Sequence, residues 1–274
     1  MKNASMKYVI FTYLFFWAFI GVIGLFLMVL QLDEVASVLQ IISAWSPTIV
    51  ILFMFGKLYK NEKLLPFLKR QFSGKIKISV VLWILAVLGL TCVGTLLYFN
   101  ITDKLPLQKL LIAPGAVGAL LLNSIITGAT GEELGWRGYL LNALTKKYSP
   151  LKAAIIVGIV WSFWHLPLWF LSGYAGWEVA GYGLLFTVSL TSASILITMF
   201  YSLSHNLLIP ILIHFLMNFL MGLVALEQSI ASFAVTSALY LAAAVIAILV
   251  NYKKVLYGRP ARVSPMTDSE AGSL

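Results

Sequence analysis

The sequence predicts an all-α polytopic membrane protein: a bundle of about eight transmembrane helices with both termini cytoplasmic. Three observations carry this. Of 274 residues, 61% are hydrophobic and 11% charged, against roughly 45–50% and about 25% in soluble domains. Apolar runs of about 20 residues, the length that crosses roughly 30 Å of hydrocarbon, recur along the chain. The basic residues fall on alternate connections, as topology requires. A soluble enzyme and a disordered chain are both excluded on composition.

The first span is 8–31. Its apolar run is longer than a signal-peptide core and no small-residue cleavage site follows, so it is expected to be retained. The second is 36–56. Segment 57–77 then carries seven basic residues and one acid. It reads either as a topology-setting loop or, through Leu64–Leu68, as a segment lying on an anionic inner leaflet. The third span is 78–99. The fourth, 115–145, is unusual in carrying Glu132, Glu133 and Arg137. Span 153–172 follows. Residues 179–226 hold no Asp, Glu, Lys or Arg and are too long for one span. A split near Tyr201–His205 gives 179–200 and 205–224. The last span is 229–251, and the polar tail from Asn251 is expected to be mobile. The implied organisation is three spans in 1–114, a core in 115–224, and a final span with a tail in 225–274.

Placing the N-terminus inside puts 17 of the 19 Lys and Arg on the cytoplasmic side, Arg137 among them, and only Lys104 and Lys109 on the far side. The net charge of +9 therefore records topology rather than nucleic-acid binding. Cys92 is the single cysteine, so no disulfide forms within the chain. The expected location is the cytoplasmic (inner) membrane, with the bilayer and membrane-associated peptides as partners.

Ionisable groups inside spans cost at least ~2.5–3.5 kcal/mol each, so they ask for a function. They fall in three clusters. In Gly131-Glu132-Glu133-Leu134-Gly135-Trp136-Arg137, Glu133 and Arg137 are four apart on one helical face and can form a salt bridge. Glu132 is turned about 100° away, at the margin of a stripe of Gly128, Gly131, Gly135 and Gly138 where another helix can approach closely. A carboxylate there, without an in-helix basic partner, suits a general base. The alternative is a Glu–Arg pair that merely pins the helix. In the second cluster, Trp161–Pro167, His165 follows Trp161 by one turn on the same face. A lone histidine on an apolar helix is more often a core residue than a catalyst. In the third, His214 and Asn218 are four apart and could offer two donors to an oxyanion. They could equally make an interhelical hydrogen bond of roughly 1 kcal/mol. His205 and Asn206 read as interfacial capping residues.

Together the clusters supply the inventory of a peptide hydrolase: a base, a second water-positioning group and an oxyanion site. They equally supply three metal ligands, Glu132, His165 and His214, with an open fourth position. No HExxH and no GxSxG is present.

The stretches GEELGWRGYL, WSFWHLPLWF and HFLMN resemble, in order, the Glu-Glu-x-x-x-Arg, Phe-x-x-x-His and His-x-x-x-Asn motifs of the CAAX prenyl protease and bacteriocin-processing family of intramembrane peptidases, in the wording of its bacterial branch. The resemblance covers about 115–224, less than half of the chain. It implies an intramembrane endopeptidase, of metallo or glutamate type. Glu132 would activate water with His165 helping to hold it; His214 and Asn218 would form the oxyanion hole; Glu133 and Arg137 would orient the site. Trp161 stands where the motif has Phe. One divalent metal such as Zn, or none, is the open cofactor choice. Prenylated substrates are not carried over, since bacteria ordinarily lack them and the C-terminal EAGSL is not itself a CAAX box. Peptide maturation, bacteriocin self-immunity or processing of a membrane-bound signalling peptide are the expected roles. The competing readings are a non-catalytic scaffold or immunity factor of the same fold, and a transporter or proton channel, against which no inverted repeat or matched broken-helix pair is evident.

His165 lies 13 residues after Lys152, about 20 Å along a helix, and His214 nine after His205, about 13 Å. Both are measured from the basic side, so a cavity opening to the cytoplasm is expected.

Overall fold

In a computed structural model the protein is described over residues 3–225, 229–251 and 254–258. Lys2, Lys253, Arg259, Arg262 and the tail expected to be mobile beyond 258 lie outside these residues. The chain is an all-α polytopic membrane protein: among the described residues β-structure is limited to one isolated bridge, Leu111 to Val224.

The helices run α1 (Asn3–Leu25), α2 (Asp33–Ala44), α3 (Ser46–Leu58), α4 (Leu64–Gln71), α5 (Ile78–Thr102), α6 (Val117–Ser124), α7 (Thr130–Glu133), α8 (Asn142–Thr145), α9 (Pro150–Trp164), α10 (Leu166–Phe170), α11 (Trp177–Ser204), α12 (Leu208–Leu223) and α13 (Ile230–Val250). Among the described residues, four helices are long and apolar enough to cross a membrane: Ala4–Leu30, Ile78–Thr102, Trp177–Ser204 and Ile230–Val250, of 27, 25, 28 and 21 residues. The second expected span is a broken one. α2 and the start of α3 meet at Trp45 with a bend of 53°, a break that spacing did not foretell. Expected spans 115–145, 153–172 and 205–224 hold shorter or interrupted helices. Their polar and broken segments are tolerated because they are buried in protein.

Local chemistry fixes the ends. Ser149 caps α9 by accepting from the Lys152 backbone N–H, and Pro150 opens the helix where a missing N–H costs nothing. α9 stops at Trp164 because Pro167 cannot donate to the Phe163 carbonyl and its ring would clash there. The chain restarts as α10, leaving His165 in the break. Ser229 and Ser232 form a reciprocal cap on α13. Asn206 does cap: its Oδ1 accepts from the Leu208 N–H at 2.9 Å. Its amide also donates to the Phe72 and Gly74 carbonyls at 2.8 and 2.7 Å, clasping the basic segment to the start of α12.

The two ends of the bundle differ. One carries the 57–77 segment, the 145–150 and 204–208 connections and the short 255–257 turn. The other carries 103–116, with Lys104 and Lys109, joined to 224–225 by backbone hydrogen bonds. Arg137 belongs to neither end. It is fully buried in the interior, so it does not serve as a topology charge. The core is a belt of Trp136, Trp164, Tyr8, Phe67, Ile84 and Leu140, all but sealed from solvent.

Candidate active site

Two π-helical turns, Ile125–Ala129 and Leu134–Leu141, flank α7. Such turns are rare and concentrate at functional sites. The expected glycine stripe does admit neighbours. A Cβ on Gly131 would lie 2.7 Å from the Trp45 ring, and one on Gly135 would lie 2.6 Å from the Pro47 carbonyl oxygen. The break between α2 and α3 is therefore pressed against the motif. The Trp45 indole also donates to the Ile126 carbonyl at 2.8 Å.

Glu132, Glu133 and Arg137 are all buried. Glu133 Oε1 accepts from Arg137 Nη1 at 2.8 Å, the i,i+4 bridge expected from spacing, and from His214 Nδ1, also at 2.8 Å. Helix α12 is thus tied to the motif by a buried hydrogen bond. Glu132 has no basic hydrogen-bond partner. Its Oε2 instead accepts two indole N–H groups, from Trp136 at 3.1 Å and Trp161 at 2.5 Å.

Trp161 also holds the other motif residues. Its ring lies under the Arg137 guanidinium, with Cζ 4.4 Å from the ring centroid, and meets the His214 ring edge-on at 5.0 Å. Its carbonyl takes the Nδ1–H of His165 at 2.9 Å, which leaves Nε2 of that ring as an acceptor. No hydrogen bond joins Glu132 to His165; Trp161 is hydrogen-bonded to both.

His214 and Asn218 converge on Gly128. A Cβ at that position would lie 3.2 Å from His214 Nε2 and 2.7 Å from Asn218 Nδ2. Gly128 keeps the space in front of the two nitrogens clear. Asn218 is exposed, on the wall of a cavity of about 570 Å³ between α6, α11, α12 and α13. Thr127, Phe186, Ser189 and Tyr240 also line it, and among the described residues no Asp, Glu, Lys, Arg or His does. Phe186 touches the His165 ring at 5.2 Å. Tyr174, Val224 and Ser229 line the same cavity, so it sits toward the end opposite the basic segment. At the basic end the recess lined by Ile76, Val81, Ile125, Ala129 and Phe215 is apolar, with a volume of about 370 Å³.

Sequence reasoning missed four participants. Trp136 follows Glu132 by one helical turn, so its partnership was readable from spacing. Trp161 was noted for its position but not for its N–H. Tyr13 and Trp17 of α1 left no signal, being 147 residues from their partners. The Tyr13 hydroxyl donates to the Val160 carbonyl, and the Trp17 indole to the Trp164 carbonyl at 3.0 Å. The latter carbonyl is left without a helical donor by the break at His165, so α1 completes the turn that presents that histidine. Phe16 packs on Trp164 at 4.0 Å.

The trio Glu132, His165 and His214 is not assembled as a ligand set. Among the described residues no three of His, Cys, Asp and Glu are placed to hold a metal ion. His214 Nδ1 is spent on Glu133, and Glu132 Oε2 on two indoles.

Residues 114–220 match the family described as Type II CAAX prenyl endopeptidase Rce1-like. A curated relative, CAAX prenyl protease 2 of Methanococcus maripaludis, is 36% identical over 138 residues. That alignment covers 48% of this chain and 50% of the relative, so the chain spans about half the length of the curated relative it matches. The match falls on the helices that carry Glu132, Glu133, Arg137, His165, His214 and Asn218, and over that region the chain is similar to the Rce1-like CAAX prenyl endopeptidases.

Proposed function

We propose that the chain is an intramembrane endopeptidase with its catalytic core in 115–224, cleaving a peptide bond of a membrane-associated protein or peptide by glutamate-activated water. The observation that carries this is the buried Glu132 carboxylate, held by two indole donors beside the Glu133–Arg137–His214 cluster, with Asn218 on the wall of the adjoining cavity.

Glu132 takes a proton from water, whose other hydrogen is accepted by His165 Nε2. The hydroxide adds to the scissile carbonyl. His214 and Asn218 donate to the resulting oxyanion from either side of the space that Gly128 leaves clear. Collapse breaks the C–N bond, and the Glu132 carboxyl returns its proton to the departing amine. Glu133 and Arg137 hold His214 from behind. The oxyanion role requires His214 to donate from Nε2 while its Nδ1 faces Glu133.

The basic end lies in the cytoplasm and the membrane is the cytoplasmic one, following the distribution of Lys and Arg. The cavity, uncharged among the described residues, suits a neutral peptide segment. The named substrate class of the relative, prenylated proteins, is one source of such a segment, and a membrane-bound peptide precursor is another.

The test compares membrane peptides of wild-type and Glu132→Gln cells by mass spectrometry. A product missing from the variant, with its precursor accumulating, is the expected result. Identical peptide profiles with the folded variant present at normal level would overturn the proposal in favour of a scaffold or immunity role. Cleavage by purified protein is expected to survive chelation.

A further inference from the structure

The Trp161 side chain touches Glu132, Arg137 and His214, and its own carbonyl holds His165. Its N–H and that of Trp136 both bond the same oxygen, Oε2 of Glu132. Oε1 accepts no hydrogen bond among the described residues. An indole nitrogen is a donor only, so the two rings must meet a lone pair each. Rotation of a carboxylate about its last torsion is soft, and one donor from the same helix leaves it so. A second donor on a different helix, α9, removes that freedom.

We infer that Trp161 is a positioning residue whose indole N–H, paired with that of Trp136, fixes Oε2 of Glu132 and turns Oε1 to the water that Glu132 activates. This deepens the endopeptidase reading and rests on it. The same residue orients His165 through its carbonyl, so both groups that meet the water are referenced to one point of α9. A phenylalanine here would keep the aromatic floor under Arg137 and the wall beside His214, but would lose the donor.

The test replaces Trp161 with benzothienylalanine, which keeps the bicyclic shape and exchanges N–H for sulfur, alongside Trp161→Phe. The substrate is the synthetic form of the peptide that accumulates in Glu132→Gln membranes. The expected outcome is a normal melting temperature, an unchanged KM and a kcat lower by about 100-fold, the scale of a small misplacement of a reacting group. A second readout needs no turnover: the infrared carboxyl band of Glu132, identified by its loss in Glu132→Gln, shifts in both Trp161 variants. A wild-type kcat and an unmoved band in the benzothienyl protein would overturn the inference while leaving the peptidase intact. If Glu132→Gln itself still cleaves, the peptidase reading fails, and an unmoved band then shows that the indole clamp is absent as well.

Discussion

Glu133 is bonded to both Arg137 and His214, and all three are buried. Removing one partner of such a pair leaves an uncompensated charge in a low-dielectric interior. Arg137→Met should therefore destabilise the folded protein by about 3–5 kcal/mol, read as a lower melting temperature in detergent. Glu132→Gln keeps an acceptor for the two indoles and should leave the melting temperature within a few degrees while abolishing cleavage. Gly128→Ala tests the oxyanion side. Its Cβ would crowd His214 Nε2 and Asn218 Nδ2, so kcat should fall by about 10²–10³-fold, as when one oxyanion donor is lost. A Gly128→Ala enzyme with full kcat would remove these two residues from the mechanism.

At the scale of elements, close approach and helix breaks decide the site. Gly135 is pressed by the Pro47 backbone and the Tyr8 hydroxyl, whereas nothing lies within 4 Å of a Cβ on Gly118. Gly135→Ala should cost roughly 1–3 kcal/mol through overpacking. Gly118→Ala should be neutral or gain up to about 1 kcal/mol from helix propensity. Thermal denaturation of the two proteins side by side checks this, and equal melting temperatures would mean that α3 does not press on the motif. Trp17→Phe leaves the Trp164 carbonyl without its donor, at about 1–3 kcal/mol for a buried unpaired group. Much of the site at this scale was readable. The i,i+4 pair Glu133–Arg137, the shared face of His214 and Asn218 and the glycine stripe follow from 3.6-residue periodicity alone. The π turns on either side of α7 and the 53° bend at Trp45 were not readable, because both are settled by what packs against them.

For the whole molecule, the charge asymmetry and the cavity point to opposite ends. With the basic end inside, a cysteine at Lys63 should be labelled by a membrane-impermeant reagent only after the cytoplasmic face is opened. One at Lys109 should be labelled in intact cells. Both positions are exposed, and Cys92, being buried, stays silent. The reverse pattern would invert the topology and place the uncharged cavity at the cytoplasmic side.

Composition and spacing by themselves determined the class of the protein, the helical nature of its elements and the short motifs that carry its charged and polar groups. Those properties depend on residues within a turn or two of each other, or on sums over the chain. Tertiary structure alone decided that Glu132 meets the Trp161 indole of another helix, that His214 bonds Glu133 across 81 residues, and that α1 completes the turn before His165. In each case a buried polar group must find a partner, and which partner is within reach depends on helix packing that no local pattern encodes.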